Sequence, residues 1–347
     1  MNDLLKLAVE AHGGLTRWNR LAAVEARLSI SGALWHLKGK PDALKDIRIE
    51  APLHREWLIT HFATDNRRAT FSPDRIVIET ESGDFLESRE NPRTAFQGHT
   101  LETPWDDFHR LYFNSYALWN YLMAPFLYTW PGFETVELAP WEENGEVWRP
   151  LKITYPDSIA GHTREQVAYY GQDGLLRRHA YTVDVLGGAS GLNYAYDYRN
   201  VNGIMVPTTR RVYPSDANKQ KVPEPLLVAI DIRDIAFIEA QQAQSARPLP
   251  PIVRIVLTQA ARHLMRGQIT TVEFKAQIER LSREELEPRG LSVLVRDLCG
   301  ETTRFIIKTT ATGQAWDMID IGPDGVPADE RPANLHSSEP VFLDPLS

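Results

Sequence analysis

Apolar residues recur first at helical and then at alternating spacing. Leu4, Leu5, Ala8 and Ala11 share one face of a helix that Gly13-Gly14 stops. From about Ala22 the period becomes two. Val24, Ala26, Leu28, Ile30 and Leu34 alternate with Glu25, Arg27, Ser29 and Ser31, and Ile47, Ile49, Ala51, Leu53, Trp57 and Ile59 alternate with Arg48, Glu50, His54 and Glu56. This predicts long strands with one buried and one wet face. Turn signals at Ser72-Pro73-Asp74, Ser82-Gly83-Asp84, Asn144-Gly145, Asp173-Gly174 and Asn202-Gly203 bound further strands near 66–72, 75–80, 85–89, 166–170, 175–185, 194–199, 204–213 and 226–237. Roughly ten strands joined by short turns pair antiparallel with their sequence neighbours.

One helix, 105–123, interrupts the strands. Thr103-Pro104-Trp105-Asp106 supplies a cap, a first-turn proline and early acids, and Pro125 closes it. Its polar stripe is narrow: Asp106, Asp107, Arg110 and Asn114. Phe108, Tyr112, Tyr116 and Trp119 form one face, with Leu111, Leu118 and Leu122 beside them. A helix apolar around most of its circumference buries two sides. One packs on the sheet; the other needs a second protein layer, a partner or an apolar ligand. The segment 104–148 carries 13 of the 33 aromatic residues, about three times its share, and the polar tips of Tyr and Trp suit a cavity rim. A packed aromatic core and a ligand cavity both remain open here.

After Ile238 the composition shifts. Residues 241–251 read as a linker between a first domain, 1–240, and a small α+β domain, 252–321. In the latter, Val253, Val256, Leu257, Ala260 and Leu264 mark one helix, and Thr270-Thr271-Val272-Glu273 caps a second that carries Phe274, Ile278 and Leu281. Strands near 291–297, 303–310 and 314–321 follow, and the Pro-rich, acidic stretch 322–347 predicts a poorly ordered tail.

Charge and chemistry narrow the function. The 38 Lys+Arg against 46 Asp+Glu give −8, which disfavours broad attraction to nucleic acid or anionic membrane. One cysteine, Cys299, excludes an internal disulfide and any multi-thiolate zinc site. The N-terminus, broken by Lys6, Glu10 and His12, does not read as a secretory signal, so a cytoplasmic protein is expected. The best membrane-span candidate, 111–128, contains Asn114, Asn120 and Pro125, so no transmembrane segment is expected. No nucleotide-binding glycine motif, nucleophile elbow or metal-binding His pair occurs, and no cofactor or metal is predicted. His99, Asp106 and His109 are the acid–base candidates should the protein be an enzyme. Arg67-Arg68, Arg177-Arg178 and Arg210-Arg211 lie on strands, so one of each pair faces inward; an inward Arg needs a carboxylate from protein or ligand.

The leading helix, the long antiparallel strands, the interposed apolar helix and the late hairpin Asn202-Gly203-Ile204-Met205-Val206-Pro207 together resemble the LolA/LolB-like lipoprotein-carrier superfamily over residues 1–240. The resemblance implies a mainly β (α+β) fold: a curved antiparallel half-barrel plugged by helices, whose concave side receives acyl chains. The expected function is binding of an apolar small molecule or acyl chain between the concave sheet and helix 105–123, with Trp57, Phe108, Tyr112, Tyr116, Trp119, Leu122, Met123 and Tyr196 as its lining. An enzyme acting in the same cavity and a protein- or membrane-docking module are the alternatives. Residues 267–274 also look like a bacterial oligomerisation segment, which implies self-association through 252–321.

Overall fold

A computed structural model describes residues 1–239 except Thr64 and Gly83, and beyond them Leu257, Ala260, Ala261, His263, Leu264, 270–286, 291–295, 303–309 and 315–321. The chain divides into two compact units, Met1–Ala240 and Gln241–Ser347. The linker and tail readings and Cys299 lie outside the described residues, as does most of the first helix expected in the second unit.

The first unit is one open antiparallel sheet of fourteen strands with helices on it. The segments α1 (Asp3–Ala11), α2 (Leu15–Trp18), β1 (Leu21–Ser31) and α3 (Ala33–Leu37) lead into the meander β2 (Ile47–Pro52), β3 (Leu58–Phe62), β4 (Arg67–Ser72), β5 (Arg75–Thr80) and β6 (Phe85–Glu90). Helix α4 (Asp107–Met123) follows, then β7 (Glu134–Glu137), β8 (Trp141–Glu143), β9 (Glu146–Thr154), β10 (Glu165–Tyr170), β11 (Leu176–Val183), β12 (Ala189–Val201), β13 (Ile204–Tyr213) and β14 (Val228–Glu239). The expected unbroken strand to Leu34 stops at Ser31, because Gly32, at φ 119°, turns the chain into α3. The long strand expected over 47–59 is two strands with a turn between them.

The sheet order runs β6-β5-β4-β3-β2-β1-β14-β13-β12-β11-β10-β9-β7, with β8 paired to β9. Its two edge strands, β6 and β7, are consecutive in the chain, so the connection holding α4 must cross from one edge to the other. At ~4.8 Å per strand a flat sheet of this order would be roughly 58 Å wide, whereas α4, about 26 Å long, touches both of its arms. The sheet is therefore curved, and its arms close on the helix. Phe71 of β4 packs edge-on against Tyr112, and Tyr181 of β11, seven strands away, places its hydroxyl 2.6 Å from that of Tyr121.

Fifteen of the seventeen α4 residues are buried, including Arg110 and Asn114, which belong to the stripe read as polar. Asp106 is the true N-cap. Its carboxylate accepts from the His109 backbone N–H at 2.8 Å, and the His109 ring accepts from the Asp106 N–H, so the helix starts two residues later than Pro104 implied.

Gly32 is a position where the backbone conformation is exacting. A Cβ there would stand 2.4 Å from the Leu227 carbonyl oxygen, and its φ is one that L-residues avoid. Gly32→Ala is expected to lower stability by about 2 kcal/mol or more, read as a shifted urea midpoint with unchanged m-value. No described helix is long and apolar enough to cross a membrane.

The second unit holds α5 (Thr271–Leu281), with the expected capping box between Thr270 and Glu273, and an antiparallel sheet of β15 (Leu291–Val295), β16 (Thr303–Thr309) and β17 (Ala315–Ile321) in that order. Phe274, Ile278 and Leu281 are buried, and the Phe274 and Phe305 rings lie 6.1 Å apart.

Candidate ligand-binding site

Between α4 and the concave face lies a cavity of about 290 Å³. Phe113, Asn114, Ala117, Leu118 and Tyr121 line it from the helix. Ile30, Val212, Val228 and Ile230 come from the sheet centre, and Tyr181, Val183 and Gly191 from the β11–β12 arm. Its outer end is apolar and partly exposed: Leu37, Leu101, Pro214 and Pro225. Its buried polar lining is Tyr121, His162 and Tyr181, joined to one another, and Asn114 two turns before Tyr121 on α4.

None of the eight residues expected to line a cavity borders this one. Phe108, Tyr112, Tyr116, Trp119, Leu122 and Met123 are packed into the core. Trp119 donates its indole N–H to the Pro52 carbonyl at 3.2 Å, and Tyr112 meets the Phe71 and Phe96 rings. Trp57 lies under the Arg55 guanidinium, and Tyr196 stands on the outer face, 40 % exposed and stacked on Tyr194. The reason is volumetric. Large rings fill the space they face, and the void opens on the adjoining helix face, where Asn114 and Ala117 are small. Gly191 acts likewise on β12: a Cβ there would stand 2.6 Å from the Tyr181 ring, which lies across it.

The acid–base candidates are also elsewhere. His109 and Asp106 form the α4 cap, with His109 Nε2 3.2 Å from the Ala95 carbonyl and Asp106 held by both Arg89 guanidinium nitrogens. His99 packs its ring 4.7 Å from that of His109. None of the three lines the cavity. Nearby, Lys38 donates to the carbonyls of Thr100, Leu101 and Thr103 at 2.7–3.0 Å, pinning this loop to α3.

Around this polar lining the Tyr116 hydroxyl lies 3.0 Å from His162 Nδ1, and the Tyr121 hydroxyl lies 2.7 Å from Nε2 and 2.6 Å from the Tyr181 hydroxyl. The His162 and Tyr181 rings stack at 4.0 Å. Burial holds the imidazole well below its usual pKa, so it is neutral, and pushes Tyr121 up to about 12. His162 belongs to the loop after β9. That loop is tied down by Glu56, whose Oε2 accepts from the Ala160 N–H at 2.9 Å.

Burial raises the Glu56 carboxyl to about 8. The native state thus keeps a proton that the unfolded chain releases near 4.5, so this group's stabilisation is complete below 4.5 and lost as pH rises through about 8. Glu56→Gln is expected to raise stability at pH 9 by on the order of 4 kcal/mol and to change it little at pH 4. Thermal melts across that range check the slope.

Sequence reasoning missed His162 and Tyr181. Two signals were present for other polar groups of the cavity region: Asn114 is an amide on a mostly apolar helix, and the Arg210-Arg211 pair must split across the sheet. Arg211 does point outward, to Asp231 at 2.6 Å, and Arg210 points in.

No family model matches the chain, and no curated protein matches it. Solved structures do. A DUF1329-family protein from Desulfovibrio piger is 10% identical with a TM-score of 0.42, over 67% of this chain and 91% of its own. A LolA superfamily protein from Nitrosomonas europaea is 10% identical with a TM-score of 0.37, over 71% of this chain and 94% of its own. The second belongs to the superfamily that residues 1–240 resemble in sequence pattern.

Proposed function

We propose that the protein binds and carries an apolar small molecule or acyl chain in the cavity between α4 and the concave sheet. The observation that carries this reading is the cavity itself. It is a space of about 290 Å³ beside α4, walled by aliphatic and aromatic side chains and reached past partly exposed Leu37, Leu101 and Pro225. Small-molecule pockets have this character: mostly apolar walls, a few convergent polar groups, and a volume from about 300 Å³ upward. Each methylene buried there contributes about 0.8 kcal/mol, so a medium-length chain offsets the cost of association.

The test is native mass spectrometry of the purified full chain, before and after mild solvent extraction, with fluorescence titration using an environment-sensitive fatty-acid probe. A co-purifying apolar species, or saturable probe binding at one site, supports carriage. Neither a retained species nor saturable binding would sink it.

A further inference from the structure

The buried polar lining of the cavity holds more hydrogen-bonding capacity than the protein uses. Tyr116, neutral His162, Tyr121 and Tyr181 form a chain of four groups joined by three contacts. Each group carries one mobile proton and each contact consumes one, so one proton is left over. If the chain runs from Tyr181 towards Tyr116, the spare O–H is that of Tyr116, fully buried with no acceptor but His162 among its described contacts. An unmet buried donor is costly. The opposite direction has Tyr116 donating to His162 Nδ1, Nε2–H donating to Tyr121, and Tyr121 donating to Tyr181. It leaves the spare O–H on Tyr181, which lines the cavity.

Behind this chain lies a charge without a counter-ion. Arg210 shares the cavity face of β13 with Val212, two residues on, and stands opposite Ile230 in register; both neighbours line the cavity. Its guanidinium is buried, lies 4.9 Å from the Tyr121 ring, and donates from Nη2 to the Tyr121 carbonyl at 3.1 Å. Nη1 has no partner, and Arg210 forms no ion pair among the described residues. His179, whose pKa is lowered by burial and by the nearby Arg210 charge, and Asn193, opposite His179 in register, also keep buried polar atoms without a partner, as does the Asn114 amide on the cavity face of α4. Native interiors rarely leave so many polar atoms unmet in one place, and a buried cation without an anion is costlier still.

We infer that the ligand enters polar end first and that this end is a carboxylate, which accepts hydrogen bonds from the Tyr181 hydroxyl and the Asn114 amide and is held in the field of Arg210. This rests on the cavity's being a binding site, and it fixes the ligand class as an apolar carboxylic acid whose chain points to the mouth. Arg210 acts through Tyr121, so it is a positioning group rather than a contact.

Calorimetric titration of the full chain with decanoate, decanol and decylamine tests both layers separately. Decanoate is expected to bind at least ten times more tightly than decanol, with decylamine weakest. Arg210→Met should bring decanoate and decanol within about threefold of each other while raising the melting temperature of the unliganded protein, which a merely structural arginine would not do. Should Arg210→Met fail to fold, Asn114→Leu and Tyr181→Phe each lower the decanoate-to-decanol ratio. If decanol or decylamine binds as tightly as decanoate, or the Arg210 variant keeps the preference, the carboxylate assignment falls and the apolar cavity stands. If none of the three probes binds, both fall.

Discussion

Ala117→Trp is expected to weaken binding of an apolar probe by more than a hundredfold while moving the melting temperature by no more than a few degrees. Ala117 sits on the cavity face of α4, one turn after Phe113 and one before Tyr121, and its methyl borders the void. An indole there occupies the space a ligand needs. Overpacking a filled core costs 1–3 kcal/mol, but here the added ring enters space that is already empty, so stability is spared. A binding curve for the variant superimposable on that of the parent would show that the ligand lies elsewhere. Comparison with Tyr112→Leu sharpens the result. Tyr112 is in the packed core on the opposite flank of the helix, and its truncation should lower stability and leave probe affinity within a few-fold.

The second large effect lies on the outer face of the sheet. Arg178 of β11 is fully buried. Its Nη1 donates to Glu143 Oε2 at 2.5 Å and to the Lys219 carbonyl at 3.3 Å, and its guanidinium lies 3.9 Å from the Tyr169 ring and 4.8 Å from that of Trp141. Tyr194 donates its hydroxyl to the other Glu143 oxygen. Arg178→Ala strips Glu143 of its cation inside a cage of rings, and breaking a buried pair from one side costs about 3–5 kcal/mol. The double replacement Arg178→Met with Glu143→Leu removes both charges and should recover most of that loss. Urea unfolding of the two variants decides the point, and equal destabilisation would mean that the pair contributes nothing beyond packing.

The pattern of apolar positions reached the sheet, the plug helix and the capped helix of the second unit, because each rests on a period that local residues repeat. It did not reach the strand order. That order depends on β1 pairing with β14, residues 198 to 218 positions apart, and no local signal encodes it. The lining of the cavity was less legible still. Phe108, Tyr112, Tyr116 and Trp119 drew attention as a stripe, yet rings of that size fill the space they face. A void is written by what is small, here Ala117, Asn114 and Gly191, and small residues carry little pattern. The Tyr196 expectation failed for a different reason: alternation assigns residues to two faces but does not say which is concave, and Asn193 and Ala195 took the inner one. The inward member of Arg210-Arg211 was legible, because alternation forces one of two adjacent arginines inside whichever face is which.

The strand order also has a temporal consequence. β1 to β6 and β7 to β13 are two meanders that each close on their own neighbours, but they join only through β14, the last strand of the unit. On a chain growing from its N-terminus, β1 therefore waits with one edge unpaired until residues 228–239 have emerged, and α4 has only one wall to rest on until then. Loop closure over this span is slow compared with hairpin formation. The cavity beside α4 is thus completed only with the last strand of the first unit, and chains released before β14 would expose two unpaired sheet edges that the finished unit joins.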